Sequence, residues 1–331
     1  MATDANLVSW LGILPQIPKE YKSTEMFDFE YQEDFPLQFN EEPINSEQML
    51  LSKNPKFENP FYLGAYLCFC PGLYPKRLYT AIFANSRLSR TLLFYFYSAV
   101  NLEFVSIYEA AYLLLSRIAF PNDLENLRTM FEAASDAYHT ANPYCQLSRN
   151  EIFRLFIVFI LFSTAHLRSG IMSFQEFSDY LSNVQITSNE KQKLYKQLCD
   201  NPIPLFLTFR LTCDEPDSSR SGFLKKTGNI LSKKKRFYMI DKFKLLAYDA
   251  SKKNLLEEIP LEGVQAEYID QASNKRYLSL RLPEGHDVGY KLKNANTNKD
   301  ASLSMDLCLF SWAEDINYVS FLALLHRLLN E

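Results

Sequence analysis

The stretch RIAFPNDLENLRTMFEAASDAYHTANPYCQLSRNEIFRLFIVFILFSTAH, residues 117–166, decides the fold of this chain. Residues 120–123, Phe-Pro-Asn-Asp, predict a turn, since proline fixes φ and Asn and Asp side chains bond the nearby backbone. From Leu124 to Tyr138 the apolar residues recur with a helical period. Asp123 then occupies the N-cap position, where its carboxylate would face free backbone N–H groups and the positive end of the helix dipole.

The second half of this stretch predicts a buried helix. Asn142-Pro143 interrupts the chain, because a residue that precedes proline is pushed out of the helical region. The run from Phe153 to Ala165 is then almost wholly apolar, with Arg154 as its one charged residue. A membrane-spanning helix needs about 20 residues, so this shorter run is typical of a helix in a protein core.

The composition is that of a globular protein with about two domains. The chain has 331 residues, of which 47% are hydrophobic, and this is ample for a buried core. Nine glycines are few for this length and argue against an α/β enzyme that holds a nucleotide with glycine-rich loops. The four histidines are dispersed and the six cysteines form no Cys-x-x-Cys pair. We therefore expect no metal site and no cofactor, and buried free thiols in a reducing compartment.

Charge is distributed unevenly along the chain, although the net charge is only −4. Residues 1–44 carry nine acidic and two basic side chains, whereas residues 217–331 carry eighteen basic and fifteen acidic ones. A basic C-terminal part points to a membrane surface or an acidic partner. Its basic run lacks the interleaved surface aromatics of nucleic-acid binders, so no nucleic acid is expected as a partner.

Changes of pattern predict four segments. Residues 1–44 are an acidic, aromatic tail, residues 45–205 an all-α domain, residues 206–221 a breaker-rich linker, and residues 222–331 a second domain. Within the tail, residues 25–42 hold seven acids and five aromatics without a clear helical or strand period. They are either a disordered tail whose aromatics lie on the next domain, or a short linear motif for a trafficking adaptor or for the chain's own basic domain.

The second domain has the pattern of a small antiparallel barrel or sandwich that ends in a helix. Short runs separated by turn residues predict strands at residues 236–240, 244–248, 277–282 and 306–310. The apolar residues of 315–329 lie along one face and predict an amphipathic helix.

The order of elements in residues 117–166 resembles the catalytic half of the Sec-seven (Sec7) domain, the exchange-factor domain for Arf GTPases, and is most similar to the cytohesins. In that family a Phe-Arg-Leu-Pro-Gly-Glu motif carries a glutamic finger, and a helix follows that ends in Tyr with Asn-Pro four residues on. The corresponding residues here are Ile118–Asp123, Tyr138 and Asn142-Pro143. A second family motif, Met-Leu-Asn-Thr-Asp-Leu-His, corresponds to Ile-Leu-Phe-Ser-Thr-Ala-His at residues 160–166.

The resemblance implies that Asp123 is the exchange residue, whereas the pattern alone gives it only an N-cap role. In the family a Glu is brought beside the nucleotide β-phosphate and Mg²⁺, where like charge weakens phosphate and metal binding. The resemblance also implies a GTPase-binding groove on the helix of residues 153–165, formed by Phe156, Phe159, Ile160, Ser163 and His166. Phe162 and Thr164 replace the family's Asn and Asp. This leaves a second interpretation open, a catalytically degenerate adaptor that binds a GTPase or a phosphoinositide.

The C-terminal domain resembles a pleckstrin-homology domain of the cytohesin type. The resemblance rests on SGFLKKTGNILSKKKRFYMI at residues 221–240 and on Ile-Pro-Leu-Glu at residues 259–262. It implies an anionic phosphoinositide as ligand, bound by Lys225, Lys226, Lys234, Arg236 and Lys293. Lys234 and Arg236 share one face of a strand, and charge-assisted bonds to phosphate are strong. The alternative is a solvated basic edge strand.

The sequence thus predicts a multidomain chain, in which an all-α Sec7-like domain precedes a β-barrel or sandwich with a C-terminal helix. The expected function is guanine-nucleotide exchange on an Arf-family small GTPase in vesicle traffic, rather than an enzyme's covalent chemistry. The expected location is cytoplasmic and peripheral to a phosphoinositide membrane, reached through the pleckstrin-homology domain.

Overall fold

The computed structural model describes residues 34–84, 88–166, 172–209, 220–227, 235–271, 275–283, 290–294 and 302–331. The contacts within it divide the chain into two compact units. The helical unit comprises Met1–Pro121 and Glu125–Thr208, and the sheet unit comprises Asn122–Leu124 and Phe209–Glu331.

Short α-helices build the helical unit. In the described residues they are α1 Phe35–Glu41, α2 Pro43–Lys53, α3 Pro60–Phe69, α4 Pro75–Phe83, α5 Ser89–Ser98, α6 Ile107–Leu115, α7 Leu124–Ala141, α8 Arg149–His166, α9 Phe174–Tyr180 and α10 Ser188–Asp200. A 3₁₀ turn, Pro55–Glu58, lies between α2 and α3. Proline stands in the first turn of each of α1 to α4, because its fixed φ suits that turn and the N–H it lacks would have no helical partner there.

Capping boxes begin α9 and α10. The backbone N–H of Glu176 donates to Ser173 Oγ over 3.3 Å, and Ser173 N–H donates to Glu176 Oε2 over 2.9 Å. Thr187 and Glu190 exchange the same pair of bonds, over 3.2 and 2.7 Å. These bonds favour the charged carboxylates and lower the pKa of both glutamates.

The core of the helical unit is organised around α8, and the prediction of a buried helix there is confirmed. Phe156, Phe159 and Phe162 are each 0% exposed, and α6, α9 and α10 all contact the helix. Arg154, its interrupting charge, donates from Nε to the backbone oxygen of Tyr180 over 3.1 Å. None of the described helices is long and apolar enough to cross a membrane.

The structure differs from the sequence expectation at α1, which lies in the stretch predicted as tail. Phe35 and Phe39 are 1% and 0% exposed, and the Phe35 and Tyr66 rings lie 5.4 Å apart. Asn40 adds a hydrogen bond to Gly72 O over 2.8 Å and accepts one from Tyr74 N–H over 2.9 Å. Burial of aromatic side chains stabilises this short helix, although its sequence has no helical period. Residues 25–33 lie outside the described residues, and the linear-motif interpretation stays a prediction for them.

The sheet unit holds one antiparallel sheet of seven strands. The strands are β1 Ser221–Thr227, β2 Lys235–Asp241, β3 Lys244–Tyr248, β4 Leu255–Pro260, β5 Gln265–Gln271, β6 Lys275–Arg281 and β7 Tyr290–Asn294. Their order in the sheet is β4-β3-β2-β1-β7-β6-β5. The strands predicted at 236–240, 244–248 and 277–282 are confirmed as β2, β3 and β6.

A long C-terminal helix, α11 Ser302–Asn330, packs on β5, β6 and β7. Trp312, 2% exposed, lies in the core with Leu224, Tyr238 and Leu278. Asn317 joins the helix to the sheet, because its Nδ2 donates to Ala266 O and its Oδ1 accepts from Ala266 N–H, both over 2.8 Å. The helix predicted at 315–329 is thereby confirmed as the second half of a longer one.

The prediction of a strand at residues 306–310 is wrong, since this segment belongs to α11. Its five residues, Asp-Leu-Cys-Leu-Phe, form a short and mostly apolar run, which favours a strand when the segment is taken alone. Leu309, Trp312, Ala313 and Ile316 instead enter the core of the sheet unit from successive turns of one helix. Packing against the sheet therefore decides the conformation.

Candidate functional site

The residues that lead into the turn before α7 are anchored by backbone hydrogen bonds to two other segments of the chain. Ala119 N–H donates to Pro75 O over 3.2 Å, and Phe120 N–H donates to Phe206 O over 2.7 Å. Thr208 N–H returns a bond to Phe120 O over 3.0 Å. Ile118, Ala119 and Phe120 are each 0% exposed. The turn therefore starts from a fixed point in the core of the helical unit.

The end of this turn, Asn122–Leu124, belongs to the sheet unit. Asn122 is 4% exposed, donates from Nδ2 to Val264 O over 3.0 Å and accepts from Ser320 Oγ over 3.2 Å. Asp123 is half-buried and stands immediately before the first residue of α7. Asp123 thus occupies the position expected of an N-cap.

The residues predicted to form the groove lie mostly inside the protein. Phe156, Phe159 and Ile160 are 0% exposed and Ser163 is 2% exposed. Ser163 Oγ accepts a hydrogen bond from Ile203 N–H over 3.0 Å. His166, in the last turn of α8, is half-buried, and its Nδ1 is buried without a hydrogen bond to any described residue. Of the five, His166 is the one whose side chain has surface that a partner could reach.

The two residues that replace the family's Asn and Asp have structural roles. The Phe162 ring lies 6.0 Å from Phe177 and 5.5 Å from Tyr195, both edge-on. Thr164 is 0% exposed and its hydroxyl donates to Ile160 O over 2.7 Å. At these two positions the side chains of α8 pack inside the protein, and neither offers a polar group to a partner.

Tyr138 and Asn142, which stand at the family spacing, fasten the turn before α6. Tyr138 Oη donates to Val105 O over 3.0 Å, and burial raises the pKa of this phenol to about 12. Asn142 donates from Nδ2 to Leu102 O over 2.9 Å and accepts from Phe104 N–H over 3.1 Å. These bonds tie the end of α7 to a turn nearly forty residues earlier in the chain.

That turn exposes an aromatic side chain on a left-handed backbone, a feature that sequence reasoning missed. Phe104 has φ 59 and is 89% exposed. Tyr144, two residues beyond Asn142, is 94% exposed. A positive φ is an outlier for a bulky residue, so the Asn142 bonds hold Phe104 in a conformation that it would not adopt alone. No local pattern in the sequence signals this, because the partner residues are far apart.

The predicted lipid ligands divide between the two faces of the sheet. Lys226 Nζ and Arg236 Nη1 converge on the Glu257 carboxylate at 3.1 and 3.0 Å, on the same face as the core residues Leu224 and Tyr238. Lys225 and Lys293 are cross-strand neighbours on the opposite face. Lys234 lies outside the described residues. One anionic headgroup therefore cannot bind all of these residues from one side.

The helical unit is thus an all-α domain built on a central buried helix, with an anchored turn before α7. A family model described as the Sec7 domain matches residues 31–203, and the chain belongs to the Sec7 domain family. Homologous Sec7 domains are exchange factors that act on Arf GTPases and are not enzymes themselves. No curated protein matches this chain by sequence.

The solved structures that are similar to the chain include three that contain a Sec7 domain. The match to the Sec7p catalytic domain has 17% sequence identity, spans 53% of this chain and 100% of that domain, and has a TM-score of 0.46. A Sec7 domain bound to ARF1-GDP and brefeldin A is 20% identical, covers 52% and 93%, and has a TM-score of 0.45. A chimera of the Rickettsia prowazekii RalF Sec7 domain and the Legionella pneumophila RalF capping domain is 11% identical, covers 84% and 88%, and has a TM-score of 0.43.

Proposed function

We propose that this protein is a guanine-nucleotide exchange factor for an Arf-family small GTPase. The observation that carries the proposal is the position of Asp123, at the start of α7 and directly after a turn fixed by backbone bonds to Pro75 and Phe206. Membership of the Sec7 domain family supports it, because homologous Sec7 domains perform this exchange. Exchange forms and breaks no covalent bond, so the chain has only to weaken nucleotide binding.

Asp123 would weaken nucleotide binding through its charge. A carboxylate brought beside the β-phosphate and Mg²⁺ of a GTPase repels the phosphate and competes for the metal, and both effects are strong where water is excluded. Asp is one carbon shorter than the family's Glu, which removes about 1.5 Å of reach. We therefore expect slow exchange from the wild type and faster exchange from Asp123→Glu.

The sheet unit would bring the exchange factor to a membrane. We propose a cytohesin-like arrangement, with a Sec7 domain at 45–205, a linker at 206–221 and a pleckstrin-homology-like domain at 222–331. Lys226 and Arg236, which already share the Glu257 carboxylate, would bind a phosphoinositide headgroup by charge-assisted hydrogen bonds. The protein would then act in vesicle traffic as a cytoplasmic, peripheral membrane protein.

Release of a fluorescent GDP analogue from purified Arf-family GTPases tests the exchange proposal. The wild type should accelerate release from at least one of them, and Asp123→Glu should accelerate it further. Asp123→Lys should slow release by roughly a hundredfold, the size of effect expected from reversing a charge in a shielded site. Glu125→Lys is the matched control, since Glu125 is an exposed acid in the first turn of the same helix. Equal rates for Asp123→Lys and Glu125→Lys would contradict the role of Asp123.

A second candidate function is a GTPase-binding adaptor without exchange activity. It is favoured by Phe162 and Thr164, which replace two polar family residues and are both 0% exposed. An adaptor would bind an Arf-family GTPase in a pull-down while leaving its nucleotide release unchanged, and Asp123→Glu would not alter this. Faster nucleotide release with either the wild type or Asp123→Glu would support the exchange factor and contradict the adaptor.

A further inference from the structure

Three lysines form a row across the middle of the sheet, on the face opposite to the core. Lys225 on β1 lies directly opposite Lys235 on β2 and directly opposite Lys293 on β7. Directly opposed residues of an antiparallel pair have Cβ atoms about 5 Å apart. Leu224, the neighbour of Lys225, is 1% exposed and points to the core, so this lysine row points away from it.

The lysine row is unfavourable for the sheet by itself. Like charges that stand directly opposite one another destabilise a strand pair. Lys225, Lys235 and Lys293 form no ion pair with any carboxylate of the described residues. Protection of a sheet edge does not explain them, because the edges are β4 and β5, whereas β1, β2 and β7 each have a strand on both sides. No carboxylate of the described residues offsets their repulsion, and an external anion would do so.

An apolar row lies beside the lysines on the same face. Cross-strand pairing aligns Phe223 with Phe237 and Phe237 with Tyr248. A register shift between β3 and β4 then pairs Tyr248 with Leu255, which places Leu255 at the end of this row. The Phe223 and Phe237 rings are 5.3 Å apart and half-exposed, and Leu255 is 49% exposed. Since neighbouring strands are about 4.8 Å apart, this apolar row extends over about 14 Å across four strands.

The turn between β3 and β4 adds a fourth lysine to this face. Lys252 Nζ lies 4.1 Å from the centre of the Phe237 ring, and Lys235 Nζ lies 4.3 Å from that of Phe223. Lys252 has a left-handed backbone, φ 62, and the Asp249 carboxylate holds the turn by accepting from Ser251 Oγ over 2.7 Å. Asp249 thus stabilises the turn that places the Lys252 ammonium group over the Phe237 ring.

We propose that this face, the lysine row with the adjoining apolar row, is a second membrane-contact surface that binds the anionic leaflet itself. Lysine ammonium groups are attracted to anionic headgroups, while aromatic and aliphatic side chains enter the interfacial region. A membrane suits this face better than an acidic peptide does, because exposed aromatic and aliphatic side chains adjoin the lysines and can enter the interfacial region. The inference deepens the recruitment proposed above, and it differs from it by using the face opposite to Lys226 and Arg236.

Binding of the full chain to vesicles tests this surface. We would use vesicles of phosphatidylcholine alone and of phosphatidylcholine with phosphatidylserine, both without phosphoinositide. The outer-face variant changes Lys225, Lys235 and Lys293 to Gln, and the matched inner-face variant changes Lys226 and Arg236 to Gln. The outer-face variant should lose affinity for the phosphatidylserine vesicles on the order of a hundredfold, from about fivefold per lysine. The inner-face variant should stay within about fivefold of the wild type.

Leu255→Ser tests the apolar half of the surface without altering a charge. It should weaken binding by about tenfold, and this loss should persist at high salt, where the contribution of the lysines is screened. The outer-face variant should also melt no lower than the wild type, because Gln removes the cross-strand repulsion. This melting result separates a lost surface from a misfolded protein.

Two results would overturn the inference. One is wild-type binding by the outer-face variant while the inner-face variant fails, in which case the recruitment proposed for Lys226 and Arg236 stands alone. The other is wild-type binding by Leu255→Ser together with displacement of vesicles by polyglutamate, which would assign the face to an acidic protein. Nucleotide release measured without vesicles is independent of both results, so a failed exchange assay leaves this test intact.

Discussion

Helix α8 and strand β1 both carry residues predicted to bind a partner, but those on α8 are buried and those on β1 are accessible to solvent. On α8 the predicted partner-binding residues Phe156, Phe159 and Ile160 are 0% exposed and form the core. On β1 the predicted ligands Lys225 and Lys226 both keep solvent contact, one on each face of the sheet. A helix at the centre of a domain is constrained by packing on all sides, whereas a sheet keeps a free face for charge.

This difference in exposure bears separately on the two parts of the proposed function, nucleotide exchange and membrane recruitment. The polar family positions on α8 are filled by Phe162 and Thr164, so in the proposed exchange the negative charge would come from Asp123, at the turn before α7. In the sheet unit the basic residues remain accessible and are divided between two surfaces. Experiments that remove packing from α8 and charge from the sheet therefore test different claims.

The largest expected effect comes from Phe162 on α8. Phe162→Ala should lower the free energy of unfolding by about 3–5 kcal/mol, because it leaves a cavity beside Phe177 and Tyr195. Phe153→Ala is the matched control, since Phe153 is on the same helix but half-buried, and it should lose less. Chemical denaturation measures both variants. Equal losses would mean that position 162 is not the packing centre that its burial suggests.

Asn142 should have the next largest effect, through the turn that it holds. Asn142→Ala removes the bonds to Leu102 O and Phe104 N–H, and should lower the free energy of unfolding by about 1–3 kcal/mol. Tyr144→Ser, at a side chain that is 94% exposed, should stay within about 0.5 kcal/mol of the wild type. Thermal melts of the two variants test this, and similar melting temperatures for both would argue against the anchoring role.

A smaller effect is expected from Glu257, which neutralises the inner face of the sheet. Glu257→Gln should change stability by less than about 1 kcal/mol, because the paired side chains keep roughly a quarter of their surface exposed. It should raise affinity for phosphoinositide vesicles by about fivefold, since Lys226 and Arg236 lose a competing carboxylate. Affinity for vesicles of phosphatidylcholine and phosphatidylserine should not change. If affinity for the phosphatidylserine vesicles also rose, the two faces would not bind different lipids as proposed.

The smallest effect concerns the turn held by Asp249. Hydrogen bonds from Ser251 and Asn254 lower the pKa of this carboxyl from 3.8 to about 2. A lowered folded-state pKa stabilises the fold fully above about pH 4, and this contribution is lost as the pH falls through about 2. Asp249→Asn should therefore melt slightly below the wild type at neutral pH and should converge with it in acid. A constant difference down to the lowest pH would show that the charge is not involved.

Much of the helical unit follows from the sequence because its signals are local. Capping boxes at Ser173 and Thr187, the proline-started helices and the apolar run of α8 are short-range patterns with direct physical causes. The family resemblance at Pro121, Tyr138 and Asn142 adds the order of the elements. What local patterns could not supply is the burial of Phe35 and Phe39, which depends on Tyr66 in a different helix.

The candidate sites were less predictable, because they depend on partners distant in the sequence. Strand periodicity places Lys225 and Lys226 on opposite faces, but Glu257, which binds Lys226, comes from β4. The alignment of Lys225 with Lys293 depends on the β1–β7 pairing, which no local pattern fixes. The prediction of a strand at 306–310 was wrong for the same reason, since contacts of α11 with the sheet override the preference of a five-residue, mostly apolar run.

The buried indole of Trp312 gives the sheet unit its own optical signal. The chain has two tryptophans, Trp10 and Trp312, and the stretch between them has none. In a Trp10→Phe variant, tryptophan emission would come from the sheet unit alone, where Trp312 lies in the core with Leu224 and Tyr238. Circular dichroism would meanwhile follow mainly the helices. One denaturation series read by both methods would therefore show whether the two units unfold together or in separate steps.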